Sequence, residues 1–182
     1  TQQVHFIIGR PTYGFKDKKR ISVAVLSQIL GEGSSSRLFQ KLREENGIAY
    51  QINTFLNSFY DVSTFGVYLS TNDKSIFKAQ NLIFNEIKKM KQKKVDTKEL
   101  DRAKEYLIGN ILMSLESTTN RMHRIAQSVI YCGKIKSVEE TIRKIKSVTR
   151  EEILELSNEL FDINSLTRVI LSPKNLLLEK AA

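Results

Sequence analysis

The sequence predicts an α+β domain, in which a mostly antiparallel sheet is covered on one side by a cluster of helices. Short apolar runs typical of strands lie near the start, the middle and the end of the chain. The last two runs are separated by several stretches with helical periodicity. Strands and helices therefore do not alternate as they do in a parallel α/β sheet, and the grouping favours the α+β class.

The first part of the chain is expected to contain a strand and two helices. Residues 4–8 form a short apolar run and should be a strand, while the residues after it up to Gly14, which include Pro11, have the composition of a turn. Residues 18–30 carry apolar side chains at four-residue spacing, which predicts a buried helix. Ser36 can cap a short second helix, and Asn46-Gly47 should end it.

A hairpin follows the second helix. Strands are predicted over 48–55 and 63–70, because polar residues between them are typical of a loop joining antiparallel strands. After the hairpin the apolar period changes to that of a long helix, whose predicted buried face consists of Ile76, Ala79, Ile83, Ile87 and Met90.

Four more helices and a final strand complete the predicted domain. Thr97 can open one helix, and the next should end near Gly133. Capping boxes start the two short helices that follow, and residues 165–171 read as a strand. The capping boxes are Ser137 with Glu140 and Thr149 with Glu152. The apolar residues of the helix that Thr97 opens are Leu100, Ala103, Leu107, Ile111 and Leu115. We expect one domain over 1–175 and a peripheral tail over 176–182.

The overall composition is that of a soluble protein. The chain has 182 residues, of which 41% are hydrophobic and 27% charged, and no apolar run approaches the roughly 18 residues that would predict a transmembrane segment. Its first residues do not resemble a signal peptide and include no initiator Met, so we expect a fragment of a longer protein. The compartment is not predicted.

The positive charge does not by itself indicate nucleic-acid binding. The net charge is +9, but the lysines are scattered, and the densest run, at 88–94, ends a predicted helix, where cations complement the helix dipole. Aromatic and basic residues do not interleave as they do in proteins that bind single strands. Cys132 is the only cysteine, and we interpret it as a small buried hydrophobic residue.

No metal site is predicted within this chain. His5 and His123 are its only histidines, and no HxxEH, HExxH or HxxxH pattern is present. Since a zinc site draws most of its ligands from His and Cys, this chain is not expected to bind zinc.

One segment, residues 30–51, offers candidate binding residues. Gly33 and the serines from Ser34 to Ser36 fit either a flexible turn with a serine N-cap or a loop that accommodates substrate. Arg43 and Tyr50 flank the Gly47 stop. A guanidinium and a phenol suit a peptide carbonyl or a tetrahedral oxyanion, but a helix-end arginine and a half-buried strand tyrosine explain the same pattern.

The same segment resembles the second-half signature of the pitrilysin-like metallopeptidases, or inverzincins, a family that includes insulin-degrading enzyme and mitochondrial processing peptidase. The resemblance rests on four short motifs and is supported more weakly by a downstream helix start. The motifs are Leu30-Gly31, Ser36-Arg37-Leu38, Arg43-Glu44-Glu45 and Gly47-Ile48-Ala49-Tyr50, and the helix start is Thr97-Lys98-Glu99-Leu100-Asp101-Arg102-Ala103-Lys104.

The resemblance implies a substrate-binding, chamber-closing C-terminal domain of a zinc-dependent endopeptidase. Zinc would be bound by another domain, and this chain alone would be inactive. Arg43 would position the peptide substrate, Tyr50 would help stabilise the tetrahedral intermediate, and Gly33 and Ser34 would contact substrate. The expected partner is an N-terminal zinc-bearing domain or subunit, with a homodimer as a further possibility and no nucleic acid. The alternative is a non-catalytic scaffold or partner subunit of the same family.

Overall fold

A computed structural model describes residues 3–173, so the tail predicted over 176–182 lies outside the described residues. Strands and helices follow in the predicted order. They are β1 Val4–Tyr13, α1 Arg20–Gly31, a π-helical segment Phe39–Glu44, β2 Gln51–Ser58, β3 Val62–Thr71, α2 Ile76–Gln92, α3 Thr97–Ser114, α4 Thr118–Cys132, α5 Val138–Ser147, α6 Arg150–Leu160, a 3-10 turn Ile163–Ser165 and β4 Thr167–Leu171.

The four strands form one antiparallel sheet in the order β2-β3-β1-β4. β2 and β3 make the predicted hairpin, with Ser58 opposite Ser63 at its closed end. β1 pairs with β3 along its whole length and with β4 along its first half. Since β1 is the first described element and β4 the last, their pairing brings the two ends of the domain together. The predicted α+β class is confirmed.

The helices cover one face of the sheet. On β1 the alternate residues Val4, Phe6 and Ile8 are buried against them, whereas Ile7 between these residues is 39% exposed. Val169 and Leu171 of β4 are exposed as well. The alternation follows from the two-residue period of a strand. The core therefore lies between one face of the sheet and the helical layer, and the apolar stripe predicted for α2 is entirely within it.

The turn predicted after residue 8 is wrong, because β1 continues through Pro11 to Tyr13. Pairing with β4 stops at Gly9, while pairing with β3 continues. Beyond Gly9, β1 is thus an edge strand on one side. Proline, which has no N–H to donate, is tolerated in such an edge.

The second strand begins at Gln51 rather than at residue 48. The backbone groups of Ile48 are already used outside the sheet: its N–H donates to the Leu42 carbonyl at 3.0 Å, and its carbonyl accepts from the Thr71 hydroxyl at 2.5 Å. The last strand is also shorter than predicted, since residues 163–165 form a 3-10 turn.

Several predicted helix ends are confirmed, and others differ in their caps. Gly47 and Gly133 have the positive φ of helix-ending glycines, and Thr149 with Glu152 forms a complete capping box. Asp96, rather than Thr97, caps α3. Ser137 caps α5 as predicted, but the Glu140 carboxylate pairs with Lys144 and does not complete the box.

Cys132 is half-buried rather than buried, which corrects the prediction. It is the last residue of α4, a helix in which only Ser128 is buried. Because α4 places little of its surface in the core, its last turn keeps partial access to solvent.

Candidate functional site

The candidate site is the turn that joins α1 to β2, and it begins with a close approach of α1 to the sheet. A Cβ atom on Gly31 would lie 2.7 Å from Thr54 Cγ2 and 2.8 Å from the Thr54 backbone nitrogen. Real Cβ atoms do not come this close to backbone, so only glycine fits. The end of α1 is therefore held directly on β2.

A buried hydroxyl pair fixes this contact. Thr54 Oγ1 donates to the Ser27 carbonyl at 2.9 Å, and Ser27 Oγ donates to Glu32 Oε1 at 2.8 Å. Burial raises the pKa of Glu32, although the Ser27 hydroxyl acts in the opposite direction. The first residue after α1 is thus anchored by a hydrogen bond and lacks a cationic partner among the described residues.

The Gly/Ser turn is closed by its own hydrogen bonds. Gly33 has φ +81, and a Cβ there would lie 3.3 Å from Tyr106 Cζ, so this position favours glycine. Gln40 Nε2 donates to the Ser34 carbonyl at 2.7 Å. Ser36 Oγ donates to the Gly33 carbonyl at 2.8 Å and does not cap a helix N–H, which corrects the predicted cap. Ser34 is exposed, and its hydroxyl has no partner within residues 3–173.

An ion pair that sequence reasoning missed ties this turn to α3. Arg37 Nε donates to Glu99 Oε1 at 2.7 Å and Arg37 Nη2 donates to Glu99 Oε2 at 2.8 Å. Both side chains are about one-fifth exposed, and the Glu99 carboxylate raises the pKa of Arg37. The pair joins two of the motifs noted above, Ser36-Arg37-Leu38 and the start of α3. The only sequence signal for this ion pair was that both motifs belong to the same family pattern.

Arg43 lies on the π-helical segment and points into solvent. The Glu45 N–H donates to the Gln40 carbonyl, five residues back, at 2.9 Å, which is the hydrogen-bond spacing of a π-turn. The Arg43 guanidinium carbon lies 5.1 Å from the centroid of the Phe39 ring. Stacking on this ring orients the guanidinium, while its N–H donors make no hydrogen bond to the described residues.

Tyr50 immediately precedes β2 and is 56% exposed. Its backbone N–H donates to the Ser70 carbonyl at 2.9 Å, so the backbone is fixed while the phenol is free. This exposure does not fit the alternative of a half-buried strand tyrosine. The Gly47 turn, in which the Gly47 N–H donates to the Arg43 carbonyl at 3.1 Å, places Arg43 and Tyr50 on its two sides. Within residues 3–173 no hydrogen bond joins their side chains.

The strand that Tyr50 leads into is the outer strand of the sheet. β2 pairs with β3 on one side, and in the described sheet it has no strand on the other. A free strand edge presents backbone N–H and C=O groups that can pair with an extended peptide. The exposed Tyr50 phenol and the unpaired edge of β2 therefore adjoin each other.

The described residues do not provide a zinc site. His5 Nδ1 lies 2.9 Å from the Tyr68 hydroxyl, and His123 is exposed on α4. Within residues 3–173, His, Cys, Asp and Glu form no group of three or more that could hold a metal ion. Across the same residues, none of the helices is both long enough and apolar enough to cross a membrane.

Comparisons with known proteins indicate the family of the chain. A family model described as the peptidase M16 inactive domain matches residues 1–107. Over 88% of its length the chain is 31% identical to an uncharacterized zinc protease of Streptomyces coelicolor and 30% identical to one of Bacillus subtilis. It spans only 35% and 39% of these two relatives.

The fold is shared with solved structures. A crystal structure of a protease from Helicobacter pylori superposes with a TM-score of 0.86 at 22% identity, covering 95% of this chain and 42% of that one. A peptidase M16 inactive domain from Pseudomonas fluorescens superposes with a TM-score of 0.83 at 20% identity, covering 93% of this chain and 41% of that one. At these identities the likeness concerns the fold.

Proposed function

The chain belongs to the peptidase M16 inactive-domain family, and from this premise we propose that it is the substrate-binding, chamber-closing C-terminal domain of a zinc-dependent endopeptidase. The zinc and the groups that activate water lie on another domain or subunit. This chain contributes binding groups and hydrolyses no peptide bond by itself. Its substrates are peptides or unfolded segments that can adopt an extended conformation.

One observation carries the proposal: the side chains of Arg43 and Tyr50 are both exposed and make no hydrogen bond within residues 3–173, although backbone hydrogen bonds hold the turn between them. The backbone bonds of Gly47 and Tyr50 fix the turn, and the Arg37–Glu99 pair fixes the helix start before it. A preorganised pair of donors is what binding a peptide and its transition state requires.

The two side chains suit different parts of that task. The Arg43 guanidinium can donate two parallel hydrogen bonds to a peptide carbonyl or a carboxylate of the substrate. The Tyr50 phenol can donate to the oxyanion that forms during hydrolysis, where loss of one donor lowers kcat by about 100- to 1,000-fold. The adjoining edge of β2 can hold the substrate backbone as an added strand. Exposed Ser34 and the Gly33 turn are the proposed remaining substrate contacts.

The proposal requires a zinc-bearing partner, since residues 3–173 contain no metal site. The length of the named zinc proteases beyond the matched part leaves room for such a domain. The zinc-bearing half lies either on the same chain or on a separate subunit. A homodimer stays a prediction.

The test is peptide turnover by the full protein together with its zinc-bearing half. Tyr50→Phe removes one hydroxyl, and we expect kcat to fall on the order of 100-fold with bound zinc unchanged. Arg43→Gln should raise KM, because it removes a contact that holds substrate before and during reaction. Tyr60→Phe, at the opposite end of β2 and 48% exposed, is the control for the tyrosine and should leave kcat unchanged.

Two results would contradict the proposal. Wild-type turnover in both the Tyr50→Phe and Arg43→Gln proteins would remove these residues from the reaction. An absence of turnover in the wild-type protein, with zinc measured in its partner, would instead favour the non-catalytic scaffold of the same family.

A further inference from the structure

A cavity of about 280 Å³ lies among α1, α3, α4 and α5, away from the turn described above. Apolar side chains form much of its lining, among them Ile21, Leu107 and Ile111. Two arginines and a lysine, Arg20, Arg124 and Lys136, also line it, and none of the carboxylates of the described residues does. The cavity therefore combines an apolar wall with three positive charges.

Arg20 is the unusual member of this set. Its side chain is half-buried and makes no hydrogen bond or ion pair within residues 3–173, and its guanidinium carbon lies 4.3 Å from the centroid of the Phe15 ring. Burial lowers the pKa of Arg20, and the Arg124 guanidinium adds to this effect, whereas Cys132 opposes it. A guanidinium withdrawn from water without an anion is costly, and its free N–H groups can bind one.

A second cation shares the same ring. Lys136 Nζ lies 5.5 Å from the Phe15 centroid, so two positive charges lie close to one aromatic ring. The Arg124 guanidinium already has hydrogen-bond acceptors, because its Nη2 donates to the Ser137 carbonyl at 3.2 Å and to Thr141 Oγ1 at 3.1 Å. Arg20 and Lys136 are thus the cations available to a ligand.

The neighbouring carboxylates have other partners. Asp17 and Glu140 line a smaller cavity that adjoins the first and shares Arg20 and Lys136 with it. Asp17 accepts the Lys19 N–H at 2.7 Å, and Glu140 accepts from Lys144 Nζ at 2.7 Å. Neither forms an ion pair with Arg20, which leaves the charge of this guanidinium uncompensated by the described residues.

We propose that this cavity binds a small amphipathic anion. A carboxylate or phosphate head would lie between Arg20 and Lys136, and a short hydrocarbon tail would pack against Ile21, Leu107 and Ile111. The cavity equals on the order of nine water volumes, which suits a tail of roughly six to eight carbons. The site is independent of the proposed peptidase role, because it uses none of Arg43, Tyr50 or β2.

The experiment is calorimetric titration of the full protein with octanoate, octyl phosphate, inorganic phosphate and neutral octanol. We expect saturable one-to-one binding of the two amphipathic anions, weaker binding of octanol and inorganic phosphate, and affinity that falls with added salt. The tighter of octanoate and octyl phosphate identifies the preferred head. Arg20→Gln should weaken binding of that anion about 10- to 100-fold, since it removes charge-assisted hydrogen bonds.

Arg102→Gln is the matched control, because it removes one positive charge from an exposed position of α3; it should bind as the wild type does. If Arg20→Gln fails to fold by circular dichroism, Lys136→Gln takes its place with the same expected direction. Equal affinity for octanol and octanoate, unchanged affinity in the Arg20→Gln protein, or no binding of any probe would overturn the proposal.

Discussion

The helices α2 and α4 carry similar apolar patterns, but the apolar stripe is buried in α2 and exposed in α4. In α2 the side chains of Ile76, Ile83 and Met90 are fully buried. In α4 the side chains of Met122 and Val129 are 62% and 47% exposed. Both segments form helices as their periodicity predicts, so the pattern determined the helix in each case. It did not determine whether the apolar stripe would be covered.

The difference lies in what each helix turns toward the domain. α2 places its stripe in the core next to the sheet. α4 instead faces the domain with polar groups: Ser128 Oγ donates to the Lys134 carbonyl at 2.7 Å and accepts the Lys136 N–H at 2.8 Å. These hydrogen bonds satisfy two backbone groups of the loop after α4. The apolar stripe of α4 lies on the outside. The buried position of α4 is therefore taken by a hydrogen-bonded serine rather than by an apolar side chain.

Truncation of one side chain in each apolar stripe should give the largest difference between α2 and α4. Ile83→Ala should lower the free energy of unfolding by about 2–5 kcal/mol, because it opens a cavity in a packed core. Ile125→Ala, at a residue 44% exposed, should change it by less than about 0.5 kcal/mol. Urea unfolding of the full protein measures both. Equal losses in the two variants would mean that the α4 stripe is covered in the intact molecule.

A smaller effect is expected at α3, which begins in the packed region and ends in the exposed one. Leu100 and Ala103 near its start are buried, whereas Met113 near its end is 64% exposed. Glu99→Gln removes the charge that pairs with Arg37, and we expect a loss of about 1–3 kcal/mol in unfolding free energy.

A double-mutant cycle with Arg37→Gln separates this pair from general effects of substitution. The coupling energy should account for most of the loss. Additive effects of the two substitutions would show that the pair does not hold the turn to α3. The exposed end of α3 should keep the same hydrogen-exchange protection in every variant.

The smallest expected effect is on the pH dependence of stability, and it comes from a buried carboxylate. Glu86 on α2 is buried with Lys89 Nζ at 2.6 Å, whereas Glu32 after α1 has a hydroxyl partner only. Because burial raises the pKa of Glu32 in the folded state, its stabilising contribution is present at low pH. This contribution is lost as pH rises from the unfolded pKa, about 4, through the raised folded value.

Glu32→Gln should therefore gain stability relative to wild type between pH 4 and pH 7. The gain should be a few tenths of a kcal/mol up to about 1 kcal/mol, since Glu32 is partly screened by solvent. Urea unfolding at both pH values tests this. A difference between the two proteins that stays constant with pH would exclude any raised pKa at Glu32.

Much of the candidate site could be predicted locally, and its anchoring could not. Gly47 ends the helical turn because of its own conformational freedom, and this placed Arg43 and Tyr50 on either side of a turn in advance. The Arg37–Glu99 pair spans 62 positions in the chain, and no periodicity predicts which charges meet at such separation. The late start of β2 likewise depended on Thr71, from the neighbouring strand.

The sequence by itself determined the order of elements, the helix-ending glycines and the helical period of α2, and its motifs identified the family to which the chain belongs. The order of elements, the glycines and the helical period depend on local backbone preference and on hydrophobic period, both of which are set by neighbouring residues, whereas the family followed from the resemblance of short motifs. Tertiary structure alone decided that β1 runs through Pro11, that α4 turns a polar side to the domain, and that Arg20 has no carboxylate partner within residues 3–173. Each of these depends on what distant parts of the chain place beside a residue, and the energy of a buried or paired group is set by those neighbours.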